Sequence, residues 1–381
     1  IFLPILSVPS TIATSTPKSL AIIAAILDIS WFFIGIGDMK NVVIRNTITK
    51  LAGVVLIFLL VKDSGDVTIY AAIMGGATLA GQLTMWTGLK GRISFEKPSL
   101  KYAANHLQPA LALFVSQLAI QVYTLLDRTM LGVLTTEAQV GLYDNSQKTI
   151  KLLVTLISSL GVVMLPKMSE LVSKGKKEEF KELIYTVFRG VNFMSIPMAF
   201  GLMGIANSFS LWFYSDKFDG ISILLKVGGF IVIAISWSNI LGIQVMLPMK
   251  KEKEFTISVT VGAITNFVLN IILILNFKSL GATIASVAAE CAVTFTQLYF
   301  LRDIISIKKI LKGTVKPFIG SIIMVTVINM CSRFIPINVI GTTIQVIIGV
   351  TTYGISMLIL KDETLKYVIC EIKSKLLKRR L

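Results

Sequence analysis

Long uninterrupted apolar runs constrain this chain before anything else does. A helix that crosses a hydrocarbon layer of roughly 30 Å needs about 20 predominantly apolar residues. Such runs recur along the whole chain, and we read spans at 18–38, 41–62, 67–89, 106–133, 146–168, 183–206, 221–247, 255–276, 279–301, 315–335 and 338–360. A buried soluble core helix would carry shorter apolar stretches of about 10 to 14 residues. A transmembrane barrel would show segments of about ten residues with alternating polarity, and no such pattern competes here. Composition agrees, since 15% of the residues are charged against roughly 25% in ordinary soluble domains, and the mean hydropathy is +0.78. The expected fold is all-α and polytopic in a membrane.

Orientation follows from Lys and Arg in short loops, which stay on the cytoplasmic side. If residues 90–101 face the cytoplasm, the basic stretches KGRISFEK (90–97), SKGKKEEFKE (173–182), KKEKE (250–254), residues 302–316 and the tail KSKLLKRRL all fall inside. The opposite loops, SDKFDG (215–220) and FKSLG (277–281), are short and nearly balanced. The net charge of +16 is therefore first a topology signal. Nucleic-acid binding would want that charge on a soluble face with interleaved aromatics. The same alternation puts residue 1 outside, and the chain opens IFLPILSVPS without an initiator Met. We therefore expect N-terminal helices to be missing from this chain, three of them making fourteen in all.

Motifs for soluble chemistry are lacking. Cys291, Cys331 and Cys370 form no CxxC and have no His partner, so neither a disulfide frame nor a zinc site is expected. His106 is the single histidine, and it falls at a loop-to-helix junction. The sequence shows no P-loop and no GxSxG elbow. Gly161, Gly228 and Gly229 read as close-packing positions between membrane helices, Asn266 and Asn270 as amide glue one turn apart, and Trp212, Tyr214 and Trp237 as interface anchors or packing.

Charges inside the spans carry the functional information, because each costs about 2.5 to 3.5 kcal/mol at mid-bilayer on insertion scales and so faces water or a partner. Asp28 lies mid-span in AAILDISWFFIGI; it lines a cavity or carries a proton or cation, or else pairs with a neighbouring span. Glu290, in SVAAECAVTF, poses the same alternatives. Arg45 and Lys50 follow in the next span, where snorkelling brings Lys50 toward the interface. Arg45 is either a phosphate contact in an inner vestibule or an inside flank, and Arg189 reads as an inside flank. Asp127 and Arg128 are adjacent, so on a helix they point about 100° apart and need separate environments. At least one is expected to face a cavity, the alternative being an interfacial cap.

Four stretches then resemble a family. LDISWFFIGIGDMKNVVIRNTITK (27–50), LDRTMLGVLTTEAQVGLYDNSQKTIK (126–151), VVMLPKMSELVSKGKKEEF (162–180) and NILGIQVMLPMKKEKEF (239–255) look like the Wzx-type flippases that move O-antigen or capsule repeat units, within the multidrug/oligosaccharidyl-lipid/polysaccharide superfamily. The resemblance implies a MATE-like fold of two pseudo-symmetric six-helix bundles around a central cavity, plus two C-terminal helices. On that template residues 1–89 are the remainder of the N-terminal bundle and 90–105 a cytoplasmic linker. Residues 106–303 form the C-terminal bundle, 304–360 the additional pair and 361–381 a basic cytoplasmic tail. The implied activity is not enzymatic. It is alternating-access translocation of a polyprenyl-diphosphate-linked oligosaccharide across the bacterial cytoplasmic membrane.

Under that resemblance Arg45, Lys50, Asp127 and Arg128 are candidates for the diphosphate and sugars, and Asp28 and Glu290 for coupling or cavity lining. No cofactor or metal is implied beyond coupling to a proton or sodium gradient. The implied partners are the lipid-linked oligosaccharide, membrane lipids, a polysaccharide polymerase and a chain-length regulator, with no nucleic acid. The terminal EIKSKLLKRRL is either a solvated inside anchor or a contact to anionic headgroups. Two rivals share part of this pattern. A cation-coupled multidrug exporter would have the same fold and acidic positions, but basic cavity residues suit a hydrophobic cation poorly. A polysaccharide polymerase or ligase would need a larger outer loop than any read here.

Overall fold

A computed structural model describes residues 15–36, 38–63, 66–89, 92–93, 114, 125–214 and 220–365, and among these every regular element is helical. Backbone proximity divides the chain into two compact units, Ile1–Asn105 and His106–Leu381. His106, Cys370, most of the expected span 106–133 and the tail beyond 365 lie outside the described residues.

The first unit contains α1 (Ser15–Ile26), α2 (Ser30–Gly35), α3 (Met39–Leu60) and α4 (Val67–Trp86). The expected continuous span 18–38 is thus two helices. The break falls at Asp28, whose Oδ1 accepts the backbone N–H of Ser30 at 2.8 Å. An Asp at such a point satisfies an N–H at the start of the next helix, and so stabilises a stop that a hydropathy sum cannot register. On the other side of the break the Leu27 carbonyl accepts the Trp86 indole N–H at 3.0 Å, which ties α4 to it.

The second unit contains α5 (125–134), α6 (Glu137–Ser173), α7 (Lys177–Phe213), α8 (Ile221–Asn239, continuing as a π-helical stretch Ile240–Met246), α9 (Glu252–Phe300), α10 (Ile307–Cys331) and α11 (Val339–Ile359). Among the described residues six helices are long and apolar enough to cross a membrane, and the bent α6 makes a seventh where its two parts, Glu137–Ser159 and Met164–Ser173, count as one span. Helix α6 starts nine residues before the span read from hydropathy and α10 eight before. The helical hydrogen-bond ladder continues past the bilayer through polar residues, which an apolar window excludes.

Helix α9 holds two of the expected spans, reversed at Lys278, whose φ of 51° and ψ of −128° are not helical. Gln297 Nε2 donates to Ser258 Oγ at 3.3 Å across the two halves. They pack closely where Gly262 lies, since a Cβ there would stand 2.3 Å from Val293 Cγ2. At the reversal itself a Cβ on Gly281 would meet the Leu273 carbonyl oxygen at 2.2 Å. Only glycine allows that approach.

Apolar contacts of α6 to α9 form the main core, including Ile150, Ile184, Phe188, Leu225 and Leu241. Helix α7 is its spine. Asn192 on α7 accepts the Trp237 indole N–H at 2.7 Å and donates to Thr314 Oγ1 at 3.1 Å, joining α8 and α10. Trp212 Nε1 donates to Thr342 Oγ1 at 2.6 Å, and the Tyr353 hydroxyl to the Phe193 carbonyl at 2.9 Å, joining α11. Polar side chains thus join apolar helices where packing against lipid alone gives no preference between helix and hydrocarbon. The outward faces stay apolar, as at Leu275, Phe295, Met330 and Val350, which is the surface a lipid solvent requires.

Candidate functional site

Within the second unit α5, α6, α8 and α9 enclose a cavity of 360 Å³, walled by Asp127, Arg128, Tyr143, Gln147, Lys151, Asn239, Ser286, Glu290 and Gln297 beside Ile231, Ile243 and Phe255. Its polar wall has a simple origin in α6. Because that helix begins at Glu137, Tyr143, Gln147 and Lys151 fall at i, i+4 and i+8 on one face.

Asp127 is the buried centre, with 2% of its surface exposed. The Tyr143 hydroxyl donates to its Oδ2 at 2.5 Å, Asn270 Nδ2 donates to its Oδ1 at 2.6 Å, and the Ser286 hydroxyl donates to Oδ2 at 3.1 Å. Asn270 Nδ2 also reaches Asn266 Oδ1 at 3.0 Å. Among the described residues Asn270 Oδ1 and Asn266 Nδ2 are buried without a hydrogen-bond partner. One carboxylate therefore ties α5 to α6 and to both halves of α9 through neutral donors. Carboxylate, amide and hydroxyl oxygens are also the hard ligands that a proton or a small cation would take.

Arg128 turns away from Asp127, as the 100° step between neighbours requires. Its Nε lies 2.6 Å from Asp144 Oδ1, and both side chains are partly exposed. Glu290, 8% exposed, and Lys151 line the same cavity.

Three of the six residues singled out from sequence, Asp127, Arg128 and Glu290, are therefore brought together. Asp28, Arg45 and Lys50 belong to the other unit. There Asp28 starts α2, and Arg45 Nη1 donates to the Thr84 carbonyl at 2.5 Å, holding the end of α4 as a cation near a helix C-terminus does. Lys50 is exposed on α3. Sequence reading missed Tyr143, Asp144, Gln147 and Lys151. The four-residue spacing of Tyr143, Gln147 and Lys151 was visible, but it lay across the boundary assigned to the span at residue 146. Asn266 and Asn270, read as amide glue, do bond one to the other and also hold Asp127.

The family model for polysaccharide biosynthesis proteins matches residues 2–172. The chain is 25% identical over 281 residues to a putative O-antigen transporter of Escherichia coli K12, covering 72% of this chain and 66% of that protein. It is 24% identical over 318 residues to the probable low-salt glycan biosynthesis flippase Agl15 of Haloferax volcanii, covering 83% and 65%. The chain thus spans just under two thirds of these two relatives. In fold it is similar to the lipid II flippase MurJ in an inward closed conformation, with a TM-score of 0.65 at 21% identity over 83% of this chain and 66% of that one. This is an all-α, multi-pass membrane protein with a MurJ-like fold, similar in sequence to a putative O-antigen transporter and a probable glycan flippase, as its own motifs led us to expect.

Proposed function

We propose that this chain forms part of a flippase that carries polyprenyl-diphosphate-linked oligosaccharide from the inner to the outer leaflet of a bacterial cytoplasmic membrane, its C-terminus inside. The observation that carries the reading is a cavity of mixed charge inside a unit whose outer faces are apolar. A diphosphate and its sugars cannot cross hydrocarbon without polar lining, whereas a polyprenyl tail stays in lipid. Arg128 and Lys151 are assigned to the diphosphate, since an Arg fork matches its oxygens. Gln147, Glu290 and Gln297 are assigned to sugar hydroxyls.

Asp127 is too enclosed to serve as a sugar contact, and we assign it to coupling with a proton or sodium gradient. Its loading would alter the contacts between α5, α6 and α9 and so bias alternating access. The C-terminal bundle of residues 106–303, the helix pair of 304–360, a partner polymerase and a partner chain-length regulator belong to the same proposal. The role is transport without bond chemistry.

The test is the leaflet distribution of lipid-linked oligosaccharide in cells depleted of the full-length protein. Cytoplasmic-leaflet accumulation that wild type relieves and Arg128→Ala does not supports the reading. An unchanged distribution together with raised sensitivity to cationic drugs would replace it with a multidrug exporter.

A further inference from the structure

A second, larger cavity of 600 Å³ lies where α7, the start of α10 and the segment after α11 meet. Three contacts bring these elements together: Tyr185 with Ser306 at 2.8 Å, Arg189 with Glu363 at 2.7 Å, and Lys316 Nζ with the Lys361 carbonyl at 3.1 Å. The cavity shares no lining residue with the transport cavity.

Its wall carries Lys309, Lys312 and Lys316 at i, i+3 and i+7, on one face of α10. Three acids line the cavity, of which Glu182 is solvent-exposed and the other two are already engaged. Glu363 accepts from Arg189, and Asp362 Oδ1 accepts the backbone N–H groups of Thr364 and Leu365 at 2.9 and 3.3 Å. Lys309 sits over the Tyr185 ring, 5.2 Å from its centroid. Among the described residues none of the three lysines has a carboxylate within ion-pair distance.

Their placement also opposes the helix that bears them. The first turn of α10 has no acidic residue, and the N-terminal end of a helix is its positive end, where cations are disfavoured and anions stabilised. An anion in the cavity would be attracted by the lysines and by the helix end together. One turn further on, α10 presents exposed Phe318, Ile319 and Ile322. The basic cavity therefore adjoins the exposed apolar face of α10.

We propose that this cavity binds the phosphate of an anionic phospholipid, its acyl chains lying along α10. The proposal does not depend on what the transport cavity carries.

Purified full-length protein in detergent would be titrated with phosphatidylglycerol, phosphatidylcholine and inorganic phosphate, with retained lipid read by native mass spectrometry and stabilisation by thermal melting. The expected result is one tightly retained phosphatidylglycerol, weakened about tenfold or more in Lys312→Gln/Lys316→Gln. It should be unchanged within twofold in Lys250→Gln/Lys253→Gln, which removes the same charge from the basic stretch at the start of α9. Lys309→Gln/Lys312→Gln, which spares the Lys316 contact to the chain beyond α11, should lose affinity likewise. Equal loss in the control pair would mean diffuse attraction and overturn the site. Equal retention of phosphatidylcholine would remove the anion requirement and overturn it too. Stabilisation by inorganic phosphate as large as that by phosphatidylglycerol would make this a free-anion site and refute the lipid assignment.

Discussion

Asp127 separates a structural role from a coupling role, because two substitutions perturb its hydrogen bonds differently. Asp127→Ala removes the acceptor for the Tyr143 hydroxyl, the Asn270 amide and the Ser286 hydroxyl. Interhelical hydrogen bonds in membrane proteins average about 0.6 kcal/mol each, so three lost bonds cost about 2 kcal/mol. The Tyr143 hydroxyl keeps the Ser286 hydroxyl, and Asn270 Nδ2 keeps Asn266 Oδ1, each at 3.0 Å, so neither donor is orphaned and the loss stays at about 2 kcal/mol.

Asp127→Asn keeps the shape. Its carbonyl can still accept from Tyr143, and its amide would face Asn270 Nδ2. That donor clash resolves if the Asn270 amide rotates to present Oδ1, which now lacks a partner, with Asn266 rotating to supply its own unpartnered Nδ2. The expected cost is about 1 kcal/mol or less. Melting of purified protein should fall by roughly 4 °C or more for Asp127→Ala and by about 2 °C at most for Asp127→Asn. In the leaflet assay both variants should fail, since neither carries an ionisable group there. Asp127→Asn melting as low as Asp127→Ala would refute the rotation of the amides. Asp127→Asn transporting like wild type would refute the coupling assignment.

Other substitutions test neighbouring conclusions. Asp28→Ala should cost about 1 kcal/mol through the lost cap, while Asp28→Asn, which still accepts the Ser30 N–H, should keep both stability and transport. Loss of transport in a stable Asp28→Asn protein would restore a coupling role for that position. Arg128→Ala should change stability by less than about 1 kcal/mol, since its pair with Asp144 is partly exposed, yet reduce transport at least tenfold if Arg128 grips the diphosphate. Gly281→Ala should destabilise by about 1 to 3 kcal/mol or more, because the obstructing atom is backbone and cannot swing aside. Gly190→Ala, where a Cβ meets no atom within 4 Å, should instead stabilise α7 by about 0.5 to 1 kcal/mol, with thermal melting checking both.

How much was legible from the sequence differs between elements. The apolar runs of α3, α7, α8, α10 and α11 were read close to where they lie, because bilayer insertion depends on a sum over neighbouring residues. Helix α10 starts earlier than expected, and that shift moves Lys309 and Lys312 from a presumed loop onto a helix face. The break at Asp28 also escaped, since a cap is one hydrogen bond from one side chain and leaves the hydropathy sum unchanged.

The candidate site shows the same division. Charged positions inside apolar runs, Asp127, Arg128 and Glu290, were visible because their solvation cost makes them anomalous wherever they face. Their partners were not, because Tyr143, Asn270 and Ser286 are ordinary residues until the chain reverses at Lys278 and sets both halves of α9 beside α5 and α6. The sequence by itself determined the solvent, the class of fold and the list of costly charges, since each of these is a property of local composition. Tertiary structure alone decided which charges share a cavity and which only hold a helix end, because the cavity needs Asn270 and Ser286 brought to Asp127 from 143 and 159 positions away, and Arg45 reaches the end of α4 across 39.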